Sequence, residues 1–121
     1  MSQPKPSAVQ GTGQNRARLF AALGDETRLM LVRMLCDGQQ HSISQLSQAQ
    51  PATTSKLTRQ AITKHLRVLE RARLVHGVRR GRESLYELDP RPIERLKEYL
   101  DLVSEDWDRA LGRLKAMVEN D

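Results

Sequence analysis

The chain has 121 residues, a net charge of +5, one cysteine and 3% aromatic residues. That length suits one domain with a modest core, which must be built from Leu, Ile, Val, Met and Ala. No apolar run approaches the roughly 18 residues of a membrane span, no stretch resembles a signal peptide, and one cysteine cannot form an internal disulfide, so a cytoplasmic protein with no membrane partner is expected.

The charge is unevenly spread. Residues 56–82 hold nine Lys/Arg against Glu70 alone, whereas residues 83–121 hold eleven Asp/Glu against six Lys/Arg. The middle segment therefore carries an electrostatic footprint for a polyanion, and the acidic last segment should face elsewhere.

Residues 1–14 are rich in Pro, Gly, Gln and Ser without periodicity and read as a disordered tail, leaving residues 15–121 as the domain. Arg16–Leu23 reads as a short helix with Leu19, Phe20 and Leu23 on one side, ended by Gly24. Asp25 is expected to cap a second helix running to about Cys36. That helix is apolar nearly all round, which predicts a central, buried position, with Cys36 as a small buried hydrophobe. His41–Ile43 reads as a short extended piece, and Ser44 as the cap of a short helix over Gln45–Ala49. The following connection, residues 50–57, is longer than the roughly 3–4 residues usual between the helices of a helix-turn-helix. It holds either an extra helical turn or a mobile loop. Ser55 and Lys56 are candidates there for contacts with a DNA backbone, and a plain flexible loop fits equally well.

Residues 58–72, TRQAITKHLRVLERA, form the most informative stretch. Gln60, Thr63, Lys64, Arg67 and Arg71 share one face of a helix, and Ala61, Ile62, Leu66, Leu69 and Ala72 the other. Thr58 is the expected N-cap. A hairpin pattern follows over 74–88, with Arg80-Gly81-Arg82 as its turn. A basic amphipathic helix followed by a basic-tipped hairpin is the layout of a winged helix-turn-helix, a mainly α architecture with a small β-hairpin. In that layout the helix enters a major groove of double-stranded DNA and the wing reaches the adjacent backbone or minor groove.

The candidate DNA contacts are Thr58, Arg59, Gln60, Thr63, Lys64 and Arg67 on the helix, and Arg79, Arg80 and Arg82 on the wing. Arg59 and Gln60 lie in the first turn, where base edges are read; Arg pairs bidentately with guanine and Gln with adenine. Lys64 and Arg67 suit phosphate. Arg71 lies far along and reads as solvated. His65 falls between the two faces and reads as structural, and His41 and His76 have no metal-ligand spacing.

After Asp89-Pro90-Arg91-Pro92 breaks the chain, one helix is expected over 92–119. Ile93, Leu96, Leu100, Val103, Trp107, Leu111, Leu114 and Val118 form a near-heptad seam. The helix exceeds what the small domain can cover. A homodimer interface is therefore expected through Leu96, Leu100, Val103, Trp107, Leu111 and Leu114, assisted by Leu19 of the first helix. The alternative is a helix folded back on its own core.

Three sets of residues resemble the ArsR/SmtB family of bacterial winged-helix repressors: Phe20–Arg28 (FAALGDETR), Thr58–Glu70, and Leu74-Val75 with Arg80-Gly81-Arg82 and Leu85–Leu88. The resemblance covers about residues 16–119. It implies a homodimer that represses transcription from operator DNA and is released by a ligand, usually a metal ion. The metal-sensing members carry a Cys-x-Cys pair beside the recognition helix, or His-containing pairs on the last helix. This chain has one Cys, and its last helix has Asp101, Glu105, Asp106 and Asp108 but no His, a poor donor set for zinc or nickel. It resembles the non-metal branch, with no metal and no cofactor expected and an unknown small-molecule inducer as the remaining partner. A winged-helix module that binds protein and does not read DNA is the competing reading. No nucleophile–base set or phosphate loop points to an enzyme.

Overall fold

In the computed structural model, residues 8–51 and 56–120 are described, with side chains from residue 15 onward. The elements are α1 (Ala8–Leu23), α2 (Glu26–Met34), a 3₁₀ turn (Leu35–Asp37), β1 (His41–Ser42), α3 (Ile43–Gln48), α4 (Arg59–Arg71), β2 (Val75–Arg80), β3 (Glu83–Leu88) and α5 (Pro90–Glu119). The strands form one antiparallel sheet in the order β1-β3-β2.

Short polar side chains fix where the helices begin. Asp25 accepts from the Arg28 N–H at 2.9 Å, and Thr58 from the Ala61 N–H at 3.1 Å. Asp89 accepts from the Arg91 N–H at 3.0 Å, and Pro90 adds a preset φ in the first turn of α5. The cap of α3 is Ser42, not Ser44 as expected. Ser42 Oγ accepts from the Gln45 N–H at 3.1 Å, and Gln45 Oε1 accepts from the Ser42 N–H at 2.9 Å. This reciprocal box needs Gln or Glu three residues on; Ser42 has Gln45 there, and Ser44 has only Ser47.

The core is aliphatic. Leu31, Leu35, Leu46, Ile62, Leu66, Leu69, Leu74 and Val75 are the largest fully buried side chains. The centrality expected of the second helix rests on Leu31, Val32 and Leu35, and Leu29 faces solvent. Cys36 is exposed, contrary to expectation. The α-helix ends at Met34, and the tighter 3₁₀ turn leaves Leu35 inside and Cys36 outside.

Helix α1 begins at Ala8, well before the expected Arg16, so residues 8–14 of the expected disordered tail are helical. Residues 1–7 lie outside the described residues. The start follows Pro6, the last proline before residue 51, and the helix passes through Gly11 and Gly13, whose composition had suggested disorder.

Candidate nucleic-acid interface

The inner face of α4 is anchored by Ile62, Leu66 and Leu69, none of which touches solvent. That anchoring turns Arg59, Gln60, Lys64, Arg67 and Arg71 outward. Arg59, Lys64 and Arg67 have no ion-pair partner among the described residues. Thr63 is half-buried and donates its hydroxyl to the Arg59 carbonyl at 2.8 Å, so only its oxygen remains as an acceptor. Thr58 accepts as the cap and keeps its own proton for an outside acceptor.

The wing is a regular hairpin in which Arg80 faces Glu83 across the last pair. The turn is Gly81-Arg82, and the positive φ, 61°, falls on Gly81 alone. That is the pattern of a type II′ turn, which suits the twist of the strands and needs Gly in its first central position. Arg79, Arg80 and Arg82 are all exposed, with no ion pair among the described residues. His76 pairs instead with Glu87 across the hairpin at 2.5 Å.

Two contacts that sequence reasoning missed hold this surface together. Glu70, the one acidic residue of the basic segment, accepts from the Gly77 N–H at 3.2 Å. A Cβ on Gly77 would lie 3.2 Å from that same carboxylate, so the exposed Glu70 side chain would have to shift by a few tenths of an ångström to admit one. The second contact is Gln50. Its Nε2 donates to the Ser47 and Leu57 carbonyls at 3.0 and 3.1 Å, and its Oε1 accepts from the Leu57 N–H at 2.7 Å. Gln50 thus closes the base of the long connection and places Leu57, one residue before the cap of α4. A buried Gln would be the signal, but burial is not readable from a polar stretch. Lys56 is exposed beside this staple, and Ser55 lies outside the described residues.

His65 is structural in its contacts. Its Nδ1 lies 3.4 Å from Arg28 Nη1 and 3.7 Å from Asp25 Oδ2. Arg28 Nε also donates to the Ala22 carbonyl at 2.6 Å. The Asp25 carboxyl is held below its usual range, first by the Arg28 N–H and then by nearby cationic charge. This cluster ties the end of α1, the start of α2 and the middle of α4.

The expected dimer residues divide. Leu19 and Leu96, each 4% exposed, already lie in the core of the single chain, because α5 packs against α1 through its first turns. They are not a free surface. Trp107, Leu111 and Leu114 are 66%, 62% and 57% exposed, Leu100 is about half exposed, and Val103 is half-buried. Among the described residues no group of His, Cys, Asp and Glu is arranged to hold a metal ion, and no helix is long and apolar enough to cross a membrane.

A family model described as a helix-turn-helix domain matches residues 23–78. HTH-type transcriptional regulator Rv2034 of Mycobacterium tuberculosis is 32% identical over 104 residues, 86% of this chain and 89% of its own length. This chain belongs to the ArsR family of winged helix-turn-helix transcriptional regulators. The regulator YuzN of Bacillus subtilis is 34% identical over 68% of this chain and 90% of its own. The structure of an ArsR-like transcriptional regulator from Rhodococcus sp. RHA1 is 35% identical, with a TM-score of 0.66 over 88% of this chain and 95% of that one.

Proposed function

We propose that this regulator acts as a homodimeric, sequence-specific repressor whose α4 reads the major groove while the wing grips the flanking backbone. The observation that carries the reading is the row of exposed Arg59, Lys64 and Arg67 on α4, which have no ion pair among the described residues, on the helix that leads directly into the hairpin bearing the exposed Arg79, Arg80 and Arg82. Arg59 and Gln60 are assigned to base edges, and Lys64, Arg67 and the Thr58 hydroxyl to phosphates. Thr63 contributes as an acceptor only.

The homodimer is supported by α5. Its 30 residues extend about 45 Å, yet only its first turns reach the core. Leu100, Val103, Trp107, Leu111 and Leu114 continue the apolar seam beyond it and supply the surface for a second copy. Release by a signal other than a metal fits the lack of imidazole and thiolate donors on α5.

Fluorescence anisotropy tests the reading on the duplex upstream of the protein's own gene and on a scrambled duplex. A preference of about a hundredfold or more is expected, with a log–log salt slope near −7 if the dimer neutralises roughly eight phosphates. Joint replacement of Arg59 and Gln60 by Ala should erase the preference while non-specific binding persists. Equal, weak binding of both duplexes by the wild type would refute sequence-specific repression and favour a protein-interaction module.

A further inference from the structure

Away from the recognition face, Arg18 of α1, Arg71 at the end of α4, Arg73 and Arg95 of α5 line one cavity of about 410 Å³, with Asn15, Leu19 and Ala72. No carboxylate is among the lining residues. None of the four arginines has a side-chain hydrogen bond or ion pair among the described residues. All four are exposed, so the hollow is an open cationic surface whose mutual repulsion water and salt screen in part. The adjoining cavity, lined by Arg16, Arg95, Tyr99 and Leu102, contrasts with it: it contains Glu98, and Arg16 lies over the Tyr99 ring at 4.4 Å.

The backbone adds a second observation. Helix α4 ends in a Schellman motif: the Leu74 N–H donates to the Leu69 carbonyl at 3.0 Å, and the Arg73 N–H to the Glu70 carbonyl at 2.9 Å. The residue in left-handed conformation at such an end is usually Gly. Here it is Arg73, with φ 63°, the one non-glycine residue with positive φ among the described residues. The turn would form more readily with Gly, and the arginine in its place lines the cavity.

We infer that this cavity binds a compact, multiply charged anion, such as a pyrophosphate, phosphate-ester or tricarboxylate group. Arg71, Arg73 and Arg95 supply forked donors that match phosphate and carboxylate oxygens, and Asn15 adds a neutral polar group. The volume suits a small metabolite. The cavity joins the last turn of α4 to α1 and α5, so an occupant ties the recognition helix to the helices beside the proposed dimer seam. That regulatory consequence rests on the repressor reading; the binding itself does not.

Isothermal titration calorimetry of the DNA-free full chain with inorganic pyrophosphate at low salt, repeated with citrate, tests the site. Saturable binding at one site per chain is expected for at least one of the two. Arg73→Gly, which the turn geometry favours, and Arg95→Gln should each weaken it about tenfold, as expected for loss of one charge-assisted contact. Arg113→Gln removes the same charge from exposed α5, about 27 Å along the helix from Arg95, and should leave binding unchanged. Absence of binding by the wild type, or equal weakening by all three variants, overturns the site. If Arg73→Gly and Arg95→Gln instead alter the dimerisation constant while anion binding is unchanged, the cavity takes carboxylates of a second copy, and the small-anion proposal is wrong.

Discussion

Replacing Gln50 with Ala removes the staple that closes the connection before α4. Three hydrogen bonds are lost, at 3.0, 3.1 and 2.7 Å, all with backbone partners, and Gln50 itself is 9% exposed. Each bond is worth about 1 kcal/mol net, and a buried backbone group left unpaired costs about 1–3 kcal/mol. Leu57 is half-buried against the core, so water reaches its freed N–H and carbonyl only in part. A loss of ~2–3 kcal/mol is therefore expected. For a domain of this size that lowers Tm by roughly 10 °C. Urea denaturation followed by circular dichroism measures it as a shift in midpoint at constant slope. Gln50→Glu separates the two halves of the staple: it keeps the acceptor for the Leu57 N–H and loses both donated bonds, placing a carboxylate against two carbonyls. It should destabilise at neutral pH and recover partly in acid. A loss below about 0.5 kcal/mol for Gln50→Ala would show that water replaces the side chain freely and that the staple does not place α4.

The Asp89 carboxyl is lowered from 3.8 to about 2, first by the Arg91 guanidinium and then by the Arg91 N–H. A depressed folded pKa contributes stability above the unfolded value that is lost as pH falls through the folded one. The shift corresponds to at most ~2.5 kcal/mol, and the exposure of Arg91 reduces this to about 1 kcal/mol. The stability gap between wild type and Asp89→Asn should therefore be open above pH 4 and close as pH falls from 3.8 toward 2; a gap independent of pH refutes the assignment. Leu111→Asp places a charge on the exposed α5 seam and should give monomers in sedimentation equilibrium without unfolding the chain; dimers as tight as the wild type's would remove this stretch from the interface. Joint replacement of Arg80 and Arg82 by Gln should weaken DNA binding about equally across sequences and flatten the salt slope by roughly two charges per wing. A change in sequence preference would move those residues from phosphate to base contacts.

Much of the architecture is a local property of this sequence. The two faces of residues 58–72, the Thr58 and Asp25 caps and the Gly81 turn are determined by side chains within a few residues of one another, and these elements appear at their expected places. Helix periodicity, capping and turn chemistry act over such short distances, so a sequence displays them directly. The segregation of positive charge is likewise countable without a fold.

What only the tertiary structure decided is which groups meet after the chain closes. Leu19 and Leu96 belong to the same kind of apolar seam as Leu111, yet they are covered by the chain itself because α1 crosses the base of α5. Periodicity tells that a face is apolar and cannot tell what covers it. Glu70 reaches Gly77, and Gln50 reaches Leu57, across seven residues each, through contacts whose value comes from burial or close approach. The convergence of Arg18, Arg71, Arg73 and Arg95 joins positions 77 residues apart at the extremes, and the left-handed turn at Arg73 carries no glycine to announce it. Local capping determined where α2, α3, α4 and α5 begin, whereas long-range packing determined which charges and apolar faces remain exposed.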